Sequence, residues 1–166
     1  GATWRLSWTR CRLARLSSWK ARPTNPSLED LLLVVDELAS LDIKMISLTG
    51  GEPFMQPHLP EVVKRMYQHG LISSTMTNGT LLNPRHVVPL LEAGLTSLCV
   101  SLDTVDPTKY ERIRGVPLAP VLKGLRYVAG IRHDFPTLLV FSVSCVISRV
   151  NVDQLAALVD FCGELG

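Results

Sequence analysis

The chain has 166 residues, of which 46% are apolar and 19% charged, with a net charge of +2. That length supports one domain with a sizeable core, and that balance excludes a disordered chain. No apolar run is long enough to cross a bilayer, and the opening residues lack the apolar core and cleavage site of a signal peptide, so a cytoplasmic protein with no membrane partner is expected.

Charge is unevenly spread. Residues 1–22 hold Arg5, Arg10, Arg12, Arg15, Lys20 and Arg22, no acid, and all three tryptophans, Trp4, Trp8 and Trp19. Basic residues among aromatics can suit nucleic acid or an anionic surface. So few charges make a small electrostatic footprint, however. The segment is read instead as an altered basic, Trp-rich head around a lost ligand site, and nucleic acid is not expected as a partner.

A weak first strand is predicted at residues 5–9, inside that head. From Ser27 the chain alternates helical and β-rich runs, the pattern of βα units around a parallel sheet. Ser27 with Asp30 forms a capping box before the helical run LLLVVDELASL. Strands are predicted at residues 43–48, 71–75, 97–102 and 138–147, mostly as continuous apolar runs. Asn83-Pro84 and Asp106-Pro107 place a capping side chain before a proline at a helix start. Gly70 and Gly94 each close a helix and are followed by leucine and a new strand, two copies of one joint. Residues 116–132 form a further helix, and Asn151 is expected to cap the last one, DQLAALVDFCGEL. The fold class is therefore α/β: about five βα units with parallel strands in residues 23–166, either an open sheet or most of a barrel. No sixth strand follows, so a fragment or an unstable domain is expected.

The chemistry-bearing residues fall immediately after strands: Thr49-Gly50-Gly51-Glu52-Pro53, Thr77-Asn78-Gly79 and Ser101-Leu102-Asp103. In parallel β/α folds those ends form the binding face. Gly50 and Gly51 let a ligand approach the backbone, Glu52 offers a carboxylate to an amine, and Pro53 stiffens the turn. Thr77, Asn78 and Ser101 supply neutral donors and acceptors, and Asp103 can accept from hydroxyls. Each motif alone is also what a tight turn or helix cap looks like. Together they describe a pocket for a zwitterionic, ribose-bearing molecule. Cys99, Cys145 and Cys162 lie in apolar segments and read as buried, reduced thiols.

In this order the three motifs resemble the radical S-adenosylmethionine (SAM) enzymes, nearest to the group holding the molybdenum-cofactor cyclase and the SPASM-type enzymes. The resemblance runs over almost the whole chain. It implies a barrel of six βα units, of which five are present, and SAM as cofactor. It implies that Gly50, Gly51 and Glu52 hold the methionine amino group, that Thr77 and Ser101 lie near its carboxylate and ribose, and that residues 143–147 line the adenine site. It also implies a Cys-x-x-x-Cys-x-x-Cys loop after the first strand, whose thiolates hold a 4Fe-4S cluster. Here Cys11 takes the first ligand position, but Arg15 and Ser18 take the others. Arginine does not deprotonate in a protein, so a cluster is not expected on this loop. Ser47 stands where the cyclase carries a substrate-binding arginine, so GTP cyclisation is not the expected reaction. A peptide or small-molecule substrate is implied.

Overall fold

The computed structural model describes residues 26–166, so the predicted first strand, Cys11 and the rest of the basic head lie outside the described residues. Helix α1 (Leu28–Ser40) opens on the expected capping box. The Asp30 amide donates to Ser27 Oγ at 3.2 Å and the Ser27 amide donates to Asp30 Oδ2 at 3.2 Å. Strands β1 (Met45–Leu48), β2 (Ile72–Thr77), β3 (Ser97–Ser101) and β4 (Val140–Ser144) alternate with α2 (Leu59–Gln68), α3 (Pro84–Glu92), the pair α4 (Pro107–Arg114) and α5 (Ala119–Ile131), and α6 (Leu155–Glu164).

The four strands are parallel and ordered β1-β2-β3-β4. A right-handed crossover that always steps to the next strand in the same direction keeps every helix on one face. Burial agrees. Leu98, Val100 and Leu102 on β3 and just beyond it are fully buried against helical residues such as Val63, Val87, Val121 and Leu125. Each such aliphatic side chain contributes roughly 1.5–3 kcal/mol when removed from water. The opposite face carries Ser47, Ser74, Met76, Cys99, Ser101, Ser142 and Ser144, none of them buried. That is the arrangement of a partial barrel: a singly wound open sheet with helices on one face and the other face uncovered among the described residues.

The two glycine joints form as expected. Gly70 (φ 68°) and Gly94 (φ 95°) occupy the left-handed conformation. Leu71 N–H donates to the Met66 carbonyl and Leu95 N–H to the Leu90 carbonyl, both at 3.0 Å, which ends α2 and α3 with the same six-to-one bond. The leucine that follows each joint is buried and starts the next strand inward. In α2 the buried Leu59, Val62, Val63 and Met66 keep helical spacing.

Several boundaries differ from expectation. β2 runs two residues further, so Thr77 is its last residue rather than the first of a loop. β4 is shorter than the apolar run that encodes it, because the chain turns away after Ser144. The helix expected from residue 116 begins at Ala119, after Gly115 ends α4 in a left-handed turn. Asn83 sits at the start of α3, but its side-chain oxygen meets His86 Nδ1 at 3.0 Å instead of a helix amide. Asn151 does not cap α6; a 3₁₀ turn, Val152–Gln154, intervenes and the Asn151 side chain points elsewhere.

Candidate functional site

The loop after β1 holds a carboxylate in place with neutral donors. Glu52 caps a 3₁₀ turn, Pro53–Met55, whose Phe54 amide donates to Glu52 Oε1 at 3.1 Å. Thr77 Oγ1 at the tip of β2 donates to the same oxygen at 2.7 Å, and the Asn78 amide donates to Oε2 at 2.8 Å. Two strand ends are thereby joined through one side chain, and Glu52 stays half-exposed. Among the described residues no cation pairs with it. A carboxylate has about four lone-pair sites, so this one keeps capacity and net charge for an incoming ammonium.

The neighbouring backbone is open. Gly50 has φ 137°, a conformation that disfavours side chains, and a Cβ at either Gly50 or Gly51 would meet no atom within 4 Å. Gly79 is the reverse case. With φ 81°, its missing Cβ would come within 2.8 Å of Val121 and 2.9 Å of Val100. Thr77 itself is 1% exposed, and its oxygen also accepts from the Gly79 amide at 3.1 Å. Thr77 therefore holds Glu52 rather than facing solvent. The Asn78 side chain turns back to accept from the Thr80 amide and hydroxyl, leaving its backbone amide to serve Glu52.

The ends of β3 and β4 are joined differently. Ser101 and Ser144 are register partners, both half-buried on the open face. Asp103, two residues on, lies inside: Arg114 Nε donates to Oδ2 at 2.6 Å and the Val146 amide to Oδ1 at 2.9 Å. Its side chain is 4% exposed and that of Arg114 29%. The fully buried Asn151 donates to the Asp103 carbonyl at 2.8 Å and the Val146 carbonyl at 2.9 Å, and accepts from the Ser148 amide at 2.7 Å. Burial raises the Cys145 thiol above its ordinary range, and the Asp103 charge adds to this; Arg114 and a hydrogen bond with Asn151 oppose it.

Of the residues singled out from sequence, Gly50, Gly51, Glu52, Pro53, Thr77 and Asn78 form one cluster. Ser101 and Asp103 belong to the adjoining β3–β4 end. Arg114 and Asn151 were missed as site residues. No local motif marks an arginine eleven residues past an aspartate, and Asn151 carried only the signal of a helix cap. Cys99, Cys145 and Cys162 are free, as expected, but only half-buried. Among the described residues, no group of three histidine, cysteine or carboxylate side chains could hold a metal ion, and no helix is long and apolar enough to cross a membrane. A cavity of about 450 Å³ lies between the Pro53–Met55 turn and α3, lined by Phe54, Met55, Leu81, Arg85, His86 and Leu90 among others. None of Gly50, Gly51, Glu52, Pro53, Thr77 and Asn78 lines it, so it is separate from the strand-end cluster.

Fold and site together define a partial parallel β/α barrel with a cluster of polar residues at the strand C-termini, the end at which such folds bind ligands. The chain belongs to the Radical SAM superfamily, whose family model matches residues 10–162. It is 31% identical over 163 residues to the AdoMet-dependent heme synthase of Methanosarcina barkeri, covering 97% of this chain and 44% of that protein. It is 34% identical over 139 residues to the GTP 3′,8-cyclase of Xanthomonas axonopodis pv. citri, covering 81% and 40% respectively. The chain thus spans less than half the length of either relative. SuiB of Streptococcus suis bound to S-adenosylmethionine shares the fold, with a TM-score of 0.74 at 18% identity over 88% of this chain and 33% of that one.

Proposed function

We propose that this chain is a radical-SAM domain that binds S-adenosylmethionine on the open face of its sheet, with its cluster loop incomplete as the sequence stands. In its family the bound cofactor supplies a 5′-deoxyadenosyl radical by reductive cleavage of its sulfonium. The observation that carries the reading is Glu52: a half-exposed carboxylate gathered by three neutral donors, beside glycines that leave room for a ligand. Glu52 accepts the methionine ammonium, Gly50 and Gly51 admit the backbone contact, Thr77, Pro53 and Asn78 hold Glu52 in place, and Ser101 serves the ribose side.

The donor set does not fit a 4Fe-4S cluster. Cys11 is one thiolate where three are needed, Arg15 carries a permanent cation and Ser18 is a poor substitute, so no step is assigned to a cluster here. A SAM-binding module without turnover is the form of the function these residues favour. The four described strands put serines, Cys99 and the apolar Met45, Ile72, Met76 and Val140 on the open face and no charged side chain. That lining suits a neutral, hydrogen-bonding substrate, a peptide or small molecule, better than a nucleoside triphosphate. Calorimetry of the chain with SAM tests the reading: saturable binding that Glu52→Gln weakens is expected, and no binding at millimolar ligand overturns it. Anaerobic incubation with iron and sulfide, followed by visible absorbance, tests the loop. Stoichiometric cluster uptake would show that Arg15 and Ser18 do not prevent ligation.

A further inference from the structure

We propose that the cavity between the Pro53–Met55 turn and α3 is a second binding site, built for a small apolar molecule that carries a carboxylate; it stands apart from the SAM reading above. Its volume of about 450 Å³ lies within the range of roughly 300–1,000 Å³ that small-molecule pockets occupy. The floor is apolar: Phe54, Leu59 and Leu90 line it and are all but buried, at 6%, 5% and 1% exposure. Pro60 and Pro89 continue that surface between α2 and α3, and neither carries a backbone N–H that an apolar occupant would leave unsatisfied. Met55 is 75% exposed and stands at the mouth, where its flexible thioether can close over an occupant.

The polar part of the lining selects the sign of the ligand. No lining residue is acidic, whereas Arg85 brings a permanent cation. Among the described residues no carboxylate pairs with Arg85. Gln56 accepts from the His58 amide at 3.4 Å through Oε1, which leaves its two Nε2 protons for an incoming oxygen. The His86 ring is held at the wall through Nδ1, 3.0 Å from Asn83 Oδ1. A shallower hollow of about 310 Å³ adjoins the cavity across Pro60 and Pro89 and is lined by Glu61, Lys64 and Glu92. Two acids against one lysine make that hollow negative, so a carboxylate is drawn to the Arg85 end and its apolar tail lies toward the prolines. A planar guanidinium can meet a carboxylate through two parallel hydrogen bonds. Apolar burial then supplies the affinity, and Arg85 supplies the discrimination.

The test compares three straight-chain probes on the full chain that differ in the head group alone: octanoate, octan-1-ol and octylamine. Calorimetry should give octanoate a Kd at or below roughly 1 mM, with the alcohol and the amine at least about tenfold weaker, the effect of losing one charge-assisted contact. Arg85→Glu changes an exposed residue and should reverse the order of octanoate and octylamine while the thermal midpoint stays in place. In amide NMR spectra of the unaltered chain, octanoate should shift Met55, Gln56, Arg85 and His86. Equal binding of the three probes, no saturable binding of octanoate, or an unreversed order in Arg85→Glu overturns the proposal. So do shifts confined to the uncovered sheet face around Ile72, Met76 and Val140. If Arg85→Glu does not fold, the probe comparison and the spectra of the unaltered chain decide. SAM binding is a separate measurement, and neither result stands in for the other.

Discussion

Glu52 and Asp103 both stand just past a strand end, yet among the described residues one is held by neutral donors alone and the other by a guanidinium. The Phe54 amide, the Thr77 hydroxyl and the Asn78 amide fix where Glu52 points without cancelling its charge. Arg114 cancels the charge of Asp103, and the Val146 amide takes its second oxygen. Among the described residues the first arrangement leaves the anion without a cationic partner, as the proposed ammonium contact requires. The second makes a closed internal joint. Position in a motif therefore does not assign a carboxylate its role; the charge of its partners does.

Removing the cation should break this contrast most severely. Arg114→Ala leaves the buried Asp103 carboxylate uncompensated and should cost about 3 kcal/mol, the low end for a broken buried pair because the guanidinium is 29% exposed. Urea denaturation measures it, and a loss under about 0.5 kcal/mol, the scale of an ordinary surface change, would place Asp103 in the same class as Glu52. Glu52→Gln should do the opposite: stability falls by less than about 1 kcal/mol, while SAM affinity drops roughly thirtyfold, or about 2 kcal/mol, because a charge-assisted contact is replaced by a neutral one. Parallel melts and calorimetry check both halves.

Thr77→Val sharpens the comparison on a smaller scale. It keeps the shape of a 1% exposed side chain and removes the hydroxyl that donates to Glu52 and accepts from Gly79. A loss of about 1 kcal/mol in stability is expected, with a several-fold loss in SAM affinity because Glu52 is less well fixed. Equal affinity would show that Phe54 and Asn78 suffice.

The smallest effect lies at alkaline pH on the Asp103 side. Burial raises the Cys145 thiol above 9.0 and, as the largest effect, also raises the Tyr110 phenol above 10.0. Both groups hold their proton more tightly in the folded chain, so their contribution is complete below the ordinary values and declines as pH rises past them. Melts between pH 8 and pH 10.5 should show this decline, and Cys145→Ala should flatten its early part. An unchanged profile would remove Cys145 as a contributor.

The joints at Gly70 and Gly94 were readable from sequence because their cause is local: a helix that needs a left-handed residue and a leucine that must then be buried. The capping box at Ser27 and Asp30 is local in the same sense. The Gly50–Glu52 and Thr77–Asn78 motifs were readable as strand-end chemistry, and their meeting followed from parallel topology. Asn151 misled because asparagine before a helical run is a good cap signal, whereas its side chain is taken up by partners 5 and 48 residues away. The end of β4 misled because apolar residues 145–147 continue the run of the strand without continuing its pairing.

By itself the sequence determined the alternation of strand and helix, the joints between them and the residue types at the strand tips, since each depends on a few neighbouring residues. Only the tertiary structure decided that the strands wind in one direction with an open inner face, that Thr77 and Asn78 spend their hydrogen bonds on Glu52, and that Asp103 is neutralised by Arg114. Those outcomes depend on which distant groups meet across strand ends, and the spacing of residues along a chain does not encode the partner of a charge.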